Sequence, residues 1–120
     1  MFRIVNLTPH LVRLCDRNGE VLHELPAPPK GEEARVSEVP GNLIGSLAGV
    51  EIYSPPTRGA IENLPDPREG VTYLVSAIVA DEAAKAGRRD VARPGTGPAD
   101  GAVRKDGQVW GVTRVILALA

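Results

Sequence analysis

Arginine dominates the basic residues of this 120-residue chain, which has eleven arginines and three lysines among its 14 basic side chains. Arginine binds phosphate through two parallel hydrogen bonds, which the single ammonium of lysine does not offer. Arg104 precedes a tight turn, and Arg114 lies in an apolar run predicted to be a strand, where a guanidinium needs a carboxylate or a bound anion as partner. A skewed genome composition is the first explanation of this arginine excess, and recognition of phosphate by some of these arginines is the alternative.

A second group of candidate residues surrounds the one segment with helical character. Ser76, between a predicted strand and the helix, offers free backbone N–H groups of the kind that attract anions. Arg88 and Arg89 follow the helix, where cations either offset the helix dipole or contact a phosphate. Tyr73 could stack on a base, although an aromatic residue in a strand more commonly belongs to the core.

Residue types that support catalysis are sparse. The two histidines, His10 and His23, have no second ligand at metal-binding spacing. We expect His10 to cap the turn after Pro9 or to contact a ligand, and His23 to lie at the surface. Cys15, the single cysteine, excludes an internal disulfide and is expected to be a small buried hydrophobe. Without a glycine-rich phosphate loop or a nucleophile elbow, the chain is expected to be no enzyme, with no cofactor and no metal.

Composition narrows the class of protein. A net charge of −1 gives no overall positive field that would attract a nucleic acid polymer or an anionic membrane. With 42% hydrophobic and 24% charged residues, the chain is expected to fold as a single compact domain over residues 1–120. Its apolar runs are too short for a membrane span, and its opening residues are too polar for a signal peptide. We therefore expect a cytoplasmic protein.

Glycine (13) and proline (11) are frequent enough to favour short strands joined by many turns. The predicted strands are 2–6, 11–15, 20–24, 33–39, 50–53, 71–75, 102–104 and 108–119, with Asn18-Gly19 as a hairpin turn. The strand pattern weakens over 40–49, and loops are expected over 54–70 and 93–101. Residues 71–75, β-branched and nearly continuous in hydrophobicity, are expected at the centre of a sheet. One helix is predicted over residues 77–86, with Ser76 as its N-cap and Gly87 at its C-terminal end. The fold class is therefore α+β, a mostly antiparallel β-sheet with one well-defined helix.

An ordered set of short motifs adds a resemblance to these observations. The opening Asn6-Leu7-Thr8-Pro9-His10 resembles the start of a group of small phage and prophage proteins. The same order continues through Ala34-Arg35-Val36, Tyr73-Leu74-Val75-Ser76, Arg88-Arg89-Asp90 and Val103-Arg104 to Gly107. Within this group the chain resembles the first-described Thoeris anti-defence sponge family, whose members bind cyclic ADP-ribose isomers made by host TIR-domain proteins without cleaving them.

The resemblance implies non-enzymatic sequestration of cyclic nucleotide immune signals in the host cytosol. It also implies a homo-oligomer built from dimers, with cyclic oligonucleotides held at separate sites in some members. Together with the residue types, it gives this ligand-binding set: Asn6, Thr8, His10, Tyr73, Ser76, Arg88, Arg89, Arg104 and Arg114. The second arginine before Asp90 and the long Pro/Gly loop after it depart from the family pattern, so the preferred nucleotide stays open.

Two alternatives remain at this point. The first is a small phosphodiesterase or ring-opening hydrolase that acts on the same signals, with His10 or an acidic residue supplying a proton. The second is a phage virion or assembly protein that associates through apolar strands such as 109–119. The enzyme predicts a changed product, whereas the assembly protein predicts no small-molecule ligand.

Overall fold

The computed structural model describes residues 3–118. Within this range the chain forms twelve short strands and one helix. In chain order these are β1 (Arg3–Asn6), β2 (Val12–Cys15), β3 (Val21–Leu25), β4 (Arg35–Val39), β5 (Leu43–Leu47), β6 (Val50–Tyr53), β7 (Thr57–Glu62), β8 (Val71–Leu74), α1 (Ala77–Lys85), β9 (Val91–Pro94), β10 (Val103–Lys105), β11 (Gln108–Gly111) and β12 (Val115–Leu117).

The central sheet has the spatial order β1-β8-β9-β12. Strand β8 pairs in parallel with both β1 and β9, and β12 runs antiparallel to β9. The predicted central position of residues 71–75 is therefore confirmed for β8. The remaining paired strands, β2-β3, β4-β7, β5-β6 and β10-β11, are all antiparallel. Antiparallel pairing thus predominates in the described residues, and the α+β prediction with a single helix is confirmed.

Helix α1 begins and ends where its local signals predict. The Ser76 hydroxyl accepts a hydrogen bond from the Val79 N–H at 3.5 Å, as an N-cap does. At the other end Gly87 has φ +88°, and the N–H groups of Gly87 and Arg88 donate to the carbonyls of Ala84 and Ala83. This is the Schellman arrangement that ends a helix. Among residues 3–118, no helix is long and apolar enough to cross a membrane.

The sheet carries a hydrophobic cluster on each of its two faces. Successive residues of a strand point to opposite faces, so Tyr73 and Val75 join the cluster under α1 whereas Leu74 joins the other. Val79, Ala80 and Ala83 of α1 complete the first cluster, which is why this helix is rich in small side chains. Cys15 is buried, as predicted.

Several segments for which no strand was predicted form strands in the structure. Residues 43–47 form β5, residues 57–62 form β7, and residues 91–94 form β9. In β5, Gly45 and Ser46 interrupt the apolar alternation, and in β7 Gly59 packs closely against Ser37 of β4. Strand β9 is short and ends in proline, yet its first two residues are fully buried between β8 and β12.

The C-terminal strand predicted over 108–119 is divided into two strands in the structure. Strands β11 and β12 are separated by residues 112–114, so Arg114 lies outside any strand and is exposed. The argument that Arg114 sits within a strand and needs a buried partner is therefore wrong. The predicted strand 33–39 begins at Arg35, whereas Phe2 and Leu119, expected at strand ends, lie outside the described residues.

Candidate functional site

A cleft of about 420 Å³ opens at the carboxyl ends of the three parallel strands β1, β8 and β9. Each strand contributes a hydroxyl residue two positions beyond its end, namely Thr8, Ser76 and Thr96. Strand β11 closes the fourth side with Val109 and Trp110. Ligands of open sheets with parallel strands bind outside the carboxyl ends of those strands, so the topology itself favours this location.

The wall that follows β1 is held in shape by the side chain of Asn6. The Asn6 carboxamide NH₂ donates to the carbonyls of His10 and Leu25, both at 2.9 Å, and to Pro26 at 3.2 Å. Its oxygen accepts the Thr8 N–H at 2.9 Å and the Thr8 hydroxyl at 2.7 Å. Asn6 and Thr8 are both buried, so this network fixes the loop rather than offering free groups to a ligand.

The start of helix α1 forms the second wall. The first intrahelical hydrogen bond runs from the Ala80 N–H to the Ser76 carbonyl, and the Val79 N–H is capped by Ser76. The N–H groups of Ala77 and Ile78 come before these bonds, and Ala77 lines the cleft. Such a helix start carries a partial positive charge and favours an anion.

Trp110, the only tryptophan of the chain, holds two cations at the wall of the cleft. The Arg13 guanidinium carbon lies 4.6 Å from the centre of the indole ring, and the Lys105 ammonium lies 3.7 Å from it. Both distances suit a cation–π contact. Arg13 also donates to the Trp110 carbonyl at 3.2 Å and lies 3.5 Å from Glu24.

The loop after β9 brings a third cation to the rim. The Gly97 N–H donates to the Asp100 carboxylate at 2.8 Å, which folds the loop on itself, and Arg104 donates to the Thr96 carbonyl at 3.3 Å. Within residues 3–118, neither Arg104 nor Lys105 is within salt-bridge distance of a carboxylate. The rim around Thr96 and Trp110 therefore carries two cations that form no ion pair with a carboxylate of the described residues.

Two glycines let the walls of the cleft approach each other closely. A Cβ at Gly111 would lie 2.6 Å from the Cys15 sulfur, which packs β11 against β2. A Cβ at Gly95 would lie 2.6 Å from the Cγ of Arg114. The stem of Arg114 thus covers the backbone between two residues of the cleft, Pro94 and Thr96.

The structure brings only part of the predicted binding set to this cleft. Thr8, His10 and Ser76 line it, and Arg104 and Arg114 contact residues of its wall. It is the His10 carbonyl that accepts hydrogen bonds from Asn6 and Thr8, while the side chain is exposed. His23 is exposed on β3, as predicted.

Three residues of the predicted set lie elsewhere. Tyr73 is only 3% exposed within the core, so it has no free face on which a base could stack. Arg88 binds the Asp90 carboxylate with two hydrogen bonds of 2.8 and 2.7 Å and donates to the Pro65 carbonyl at 2.8 Å. Arg89 is exposed beyond the end of α1, the end opposite the cleft. Arg88 is therefore paired with Asp90, a partner that neither the helix-dipole explanation nor the phosphate explanation named.

The Arg88–Asp90 pair also perturbs the titration of both groups. Hydrogen bonds from Arg88 lower the pKa of the Asp90 carboxyl below its usual value, and burial opposes this only in part. The same bonds raise the pKa of Arg88. Because Arg88 makes these hydrogen bonds to Asp90, its guanidinium is not free to bind a phosphate.

Sequence reasoning missed Arg13, Lys105 and Trp110. Arg13 and Lys105 belong to separate hairpins, so only the contact of β11 with β2 brings them together. The one available signal was Trp110 itself, a large aromatic residue in a chain that has only four, placed beside a glycine.

Neither a metal centre in the described residues nor a comparison with known proteins identifies the function of the site. Among residues 3–118, no group of three or more His, Cys, Asp or Glu side chains could hold a metal ion. Comparison of the chain with protein-family models, with curated proteins and with solved structures gives no match.

Proposed function

We propose that this protein binds cyclic nucleotide immune signals, such as cyclic ADP-ribose isomers, and sequesters them without chemical change. The observation that carries the proposal is the cleft at the carboxyl ends of β1, β8 and β9. Its volume of about 420 Å³ lies in the range of sites that bind small molecules. As a phage anti-defence sponge, the protein would act in the host cytosol as a homo-oligomer built from dimers.

The charge around the cleft supports a phosphate-bearing ligand. The start of α1 offers N–H groups at Ala77 and Ile78, and the opposite rim carries Arg104 and Lys105. A ligand with two phosphates, as in a cyclic dinucleotide or cyclic ADP-ribose, can place one at each wall. Arg104 supplies the planar guanidinium that binds phosphate with two hydrogen bonds.

The remaining surface of the cleft supports a nucleoside part. Leu11 and Val109 are 39% and 41% exposed at its edge, and Pro9 and Pro94 add further apolar area. Such side chains lose contact with water when a base or ribose lies on them. The step from a phosphate-bearing nucleoside to a cyclic immune signal rests on the resemblance of the ordered motifs.

A thermal-shift screen with recovery of the ligand tests the proposal directly. The panel contains cyclic ADP-ribose isomers, linear ADP-ribose, cyclic di- and trinucleotides, and inorganic phosphate. A ligand at 100 times its Kd stabilises the native state by about 2.7 kcal/mol, so its unfolding midpoint rises measurably. Each hit is then released by heat and run on a column. We expect a cyclic nucleotide to be recovered unchanged.

Variants of the rim show whether binding occurs in this cleft. Arg104→Gln combined with Lys105→Gln should weaken binding at least about tenfold, since a charge-assisted hydrogen bond contributes roughly 1.5–3 kcal/mol. Arg17→Gln, in the exposed turn between β2 and β3, is the matched control and should leave the Kd unchanged. Equal affinity in the rim variant and in the control would refute this site.

The same screen separates the two alternatives. A recovered product that differs from the added ligand, and that disappears in His10→Gln, would establish the hydrolase, because the His10 side chain is exposed and lines the cleft. No shift with any compound of the panel would favour the virion or assembly protein instead.

A further inference from the structure

The hairpin of β5 and β6 extends away from the rest of the molecule. We call residues 42–53 the arm; every one of them is exposed. The turn of the arm is built from Ala48 and Gly49, both with positive φ, which closes a tight two-residue hairpin. At its base, Asn42 and Ser54 exchange two hydrogen bonds of 2.8 Å. The arm is therefore a defined hairpin of the fold, whose pairing is interrupted only by a register shift between Leu43 and Gly45.

The arm carries many large apolar side chains for a segment that is so exposed to solvent. Its six large apolar side chains are between 41% and 71% exposed: Leu43, Ile44, Leu47, Val50, Ile52 and Tyr53. Leu47 lies opposite Val50, and Gly45 lies opposite Ile52, so these residues share one uncharged face. Glu51 lies on the other face, where its carboxylate accepts a hydrogen bond from the Tyr53 hydroxyl at 2.8 Å.

Such an arm is not expected to be stable alone in water. A single two-stranded hairpin is marginal without a third strand or a covering layer. Within residues 3–118 nothing covers the arm, since all of its residues are exposed, and the elongated shape of the molecule agrees with this. Its radius of gyration is 17.3 Å, whereas a compact domain of this length has about 13.6 Å, and its longest dimension is 55 Å against a shortest of 28 Å.

We propose that the arm is a dimerisation element, exchanged between two copies of this chain across a two-fold axis. Each arm then lies on the body of the other copy, where the body means the described residues outside the arm. The first argument is area. Burying a Leu, Ile or Val side chain removes on the order of 100 Å² from water. The three apolar side chains of the uncharged face, Leu47, Val50 and Ile52, therefore offer roughly 300 Å² and cover a similar area on the partner. Two symmetric arms then bury roughly 1,200 Å², which reaches the lower end of the range of specific protein interfaces.

A partner other than a second copy would receive one arm only. That contact would bury roughly half of this area and fall in the range of weak or crystal-packing contacts. A two-fold arrangement doubles the area because each contact is made twice. The area of the arm therefore favours a second copy over an unrelated protein.

Charge is the second argument. The face with Leu47, Val50 and Ile52 carries no charge, and the whole chain has a net charge of only −1. Two copies thus approach without electrostatic repulsion, and no charged side chain of this face must be buried. Exposed apolar side chains on the body, among them Ile78 and Leu117, provide surface on which a partner's arm can pack.

Light scattering coupled to size exclusion tests this inference without any nucleotide, so its failure is distinct from failure of the proposed binding function. The wild-type chain should give twice 12.7 kDa, or about 25 kDa, or a whole multiple of this dimer mass. The double variant Leu47→Glu with Val50→Lys should give the monomer mass. These two positions face each other across the hairpin, so the new opposite charges keep the arm paired.

A matched control separates the arm from apolar surface in general. Leu22→Glu changes a side chain of β3 that is 60% exposed, like those of the arm, and should leave the dimer intact. Circular dichroism and Trp110 fluorescence verify that the arm variant is folded; if it is not, replacing residues 43–53 by Asn-Gly removes the arm instead. A monomeric wild type throughout a dilution series, or a dimer that survives loss of the arm, would overturn the inference.

Discussion

Asn6 illustrates how a residue can be essential to a site without contacting a ligand. Its side chain joins the loop after β1 to the end of β3 through hydrogen bonds that are largely shielded from water. Asn6→Ala should lower the free energy of unfolding by about 3 kcal/mol, because buried carbonyl and N–H groups lose their partners. Urea denaturation measures this change. Asn42→Ala, at an exposed position, should cost far less, and equal losses in both variants would contradict the role given to Asn6.

The Arg88–Asp90 pair makes the free energy of unfolding depend on pH, and the direction of this dependence follows from the lowered pKa of Asp90. Arg88 lowers the pKa of Asp90 in the folded state, so the stabilisation is fully present above the unfolded pKa of about 3.9. It is lost as the pH falls through the folded pKa. The difference in unfolding free energy between wild type and Asp90→Asn should therefore be largest near neutral pH and should shrink below about pH 4.

Denaturant unfolding of both proteins across this pH range is the measurement. Asp106→Asn, in the exposed turn between β10 and β11, serves as the control, and its stability should run parallel to that of wild type. A constant difference between wild type and Asp90→Asn down to the most acidic pH would show that the Arg88–Asp90 pair does not stabilise the fold.

At the scale of elements, the sequence was informative where structure depends on local signals. Helix α1 was predicted from Ser76, its alanine-rich run and Gly87, all of which act within one or two turns. Strands β5, β7 and β9 were missed because their pairing partners lie far away in the chain or because glycine interrupts their pattern. The candidate site was predicted incompletely for the same reason, since Trp110 and Arg13 come together only when β11 packs on β2.

The base of the arm offers a test of a single element. A Cβ at Gly41 would clash with the Ser54 carbonyl oxygen, whereas a Cβ at Gly45 would meet nothing within 4 Å. Gly41→Ala should therefore break the Asn42–Ser54 hydrogen bonds and weaken dimerisation about tenfold or more, at roughly 1–3 kcal/mol for the lost pairing. Gly45→Ala should have little effect. Hydrogen exchange of the arm and the dimer dissociation constant report both changes, and indistinguishable variants would refute this account.

The whole molecule divides its tasks between a body and the arm. The body contains both hydrophobic clusters of the central sheet and the cleft at its edge, and the arm contributes a residue to neither cluster. The body therefore has what it needs to fold alone. Composition predicted a single compact domain and gave no sign that twelve consecutive residues would all be exposed.

This division predicts the outcome of removing the arm altogether. With residues 43–53 replaced by Asn-Gly, the two strands of the β4-β7 ribbon stay connected by a short turn that suits a hairpin. The shortened chain should be a folded monomer that unfolds cooperatively, because no core side chain is lost. Its radius of gyration in small-angle scattering should fall from above 17 Å toward the value of a compact domain, about 13–14 Å.

The same shortened chain shows whether the cleft is complete within one protomer. All the walls of the cleft come from a single chain, so its affinity for any nucleotide found in the screen should equal that of the full-length protein within about twofold, well under the tenfold that corresponds to 1.4 kcal/mol. Isothermal titration of both proteins measures this. Loss of binding together with the dimer, while the cleft variant Arg104→Gln with Lys105→Gln still dimerises, would instead mean that a second copy supplies part of the site.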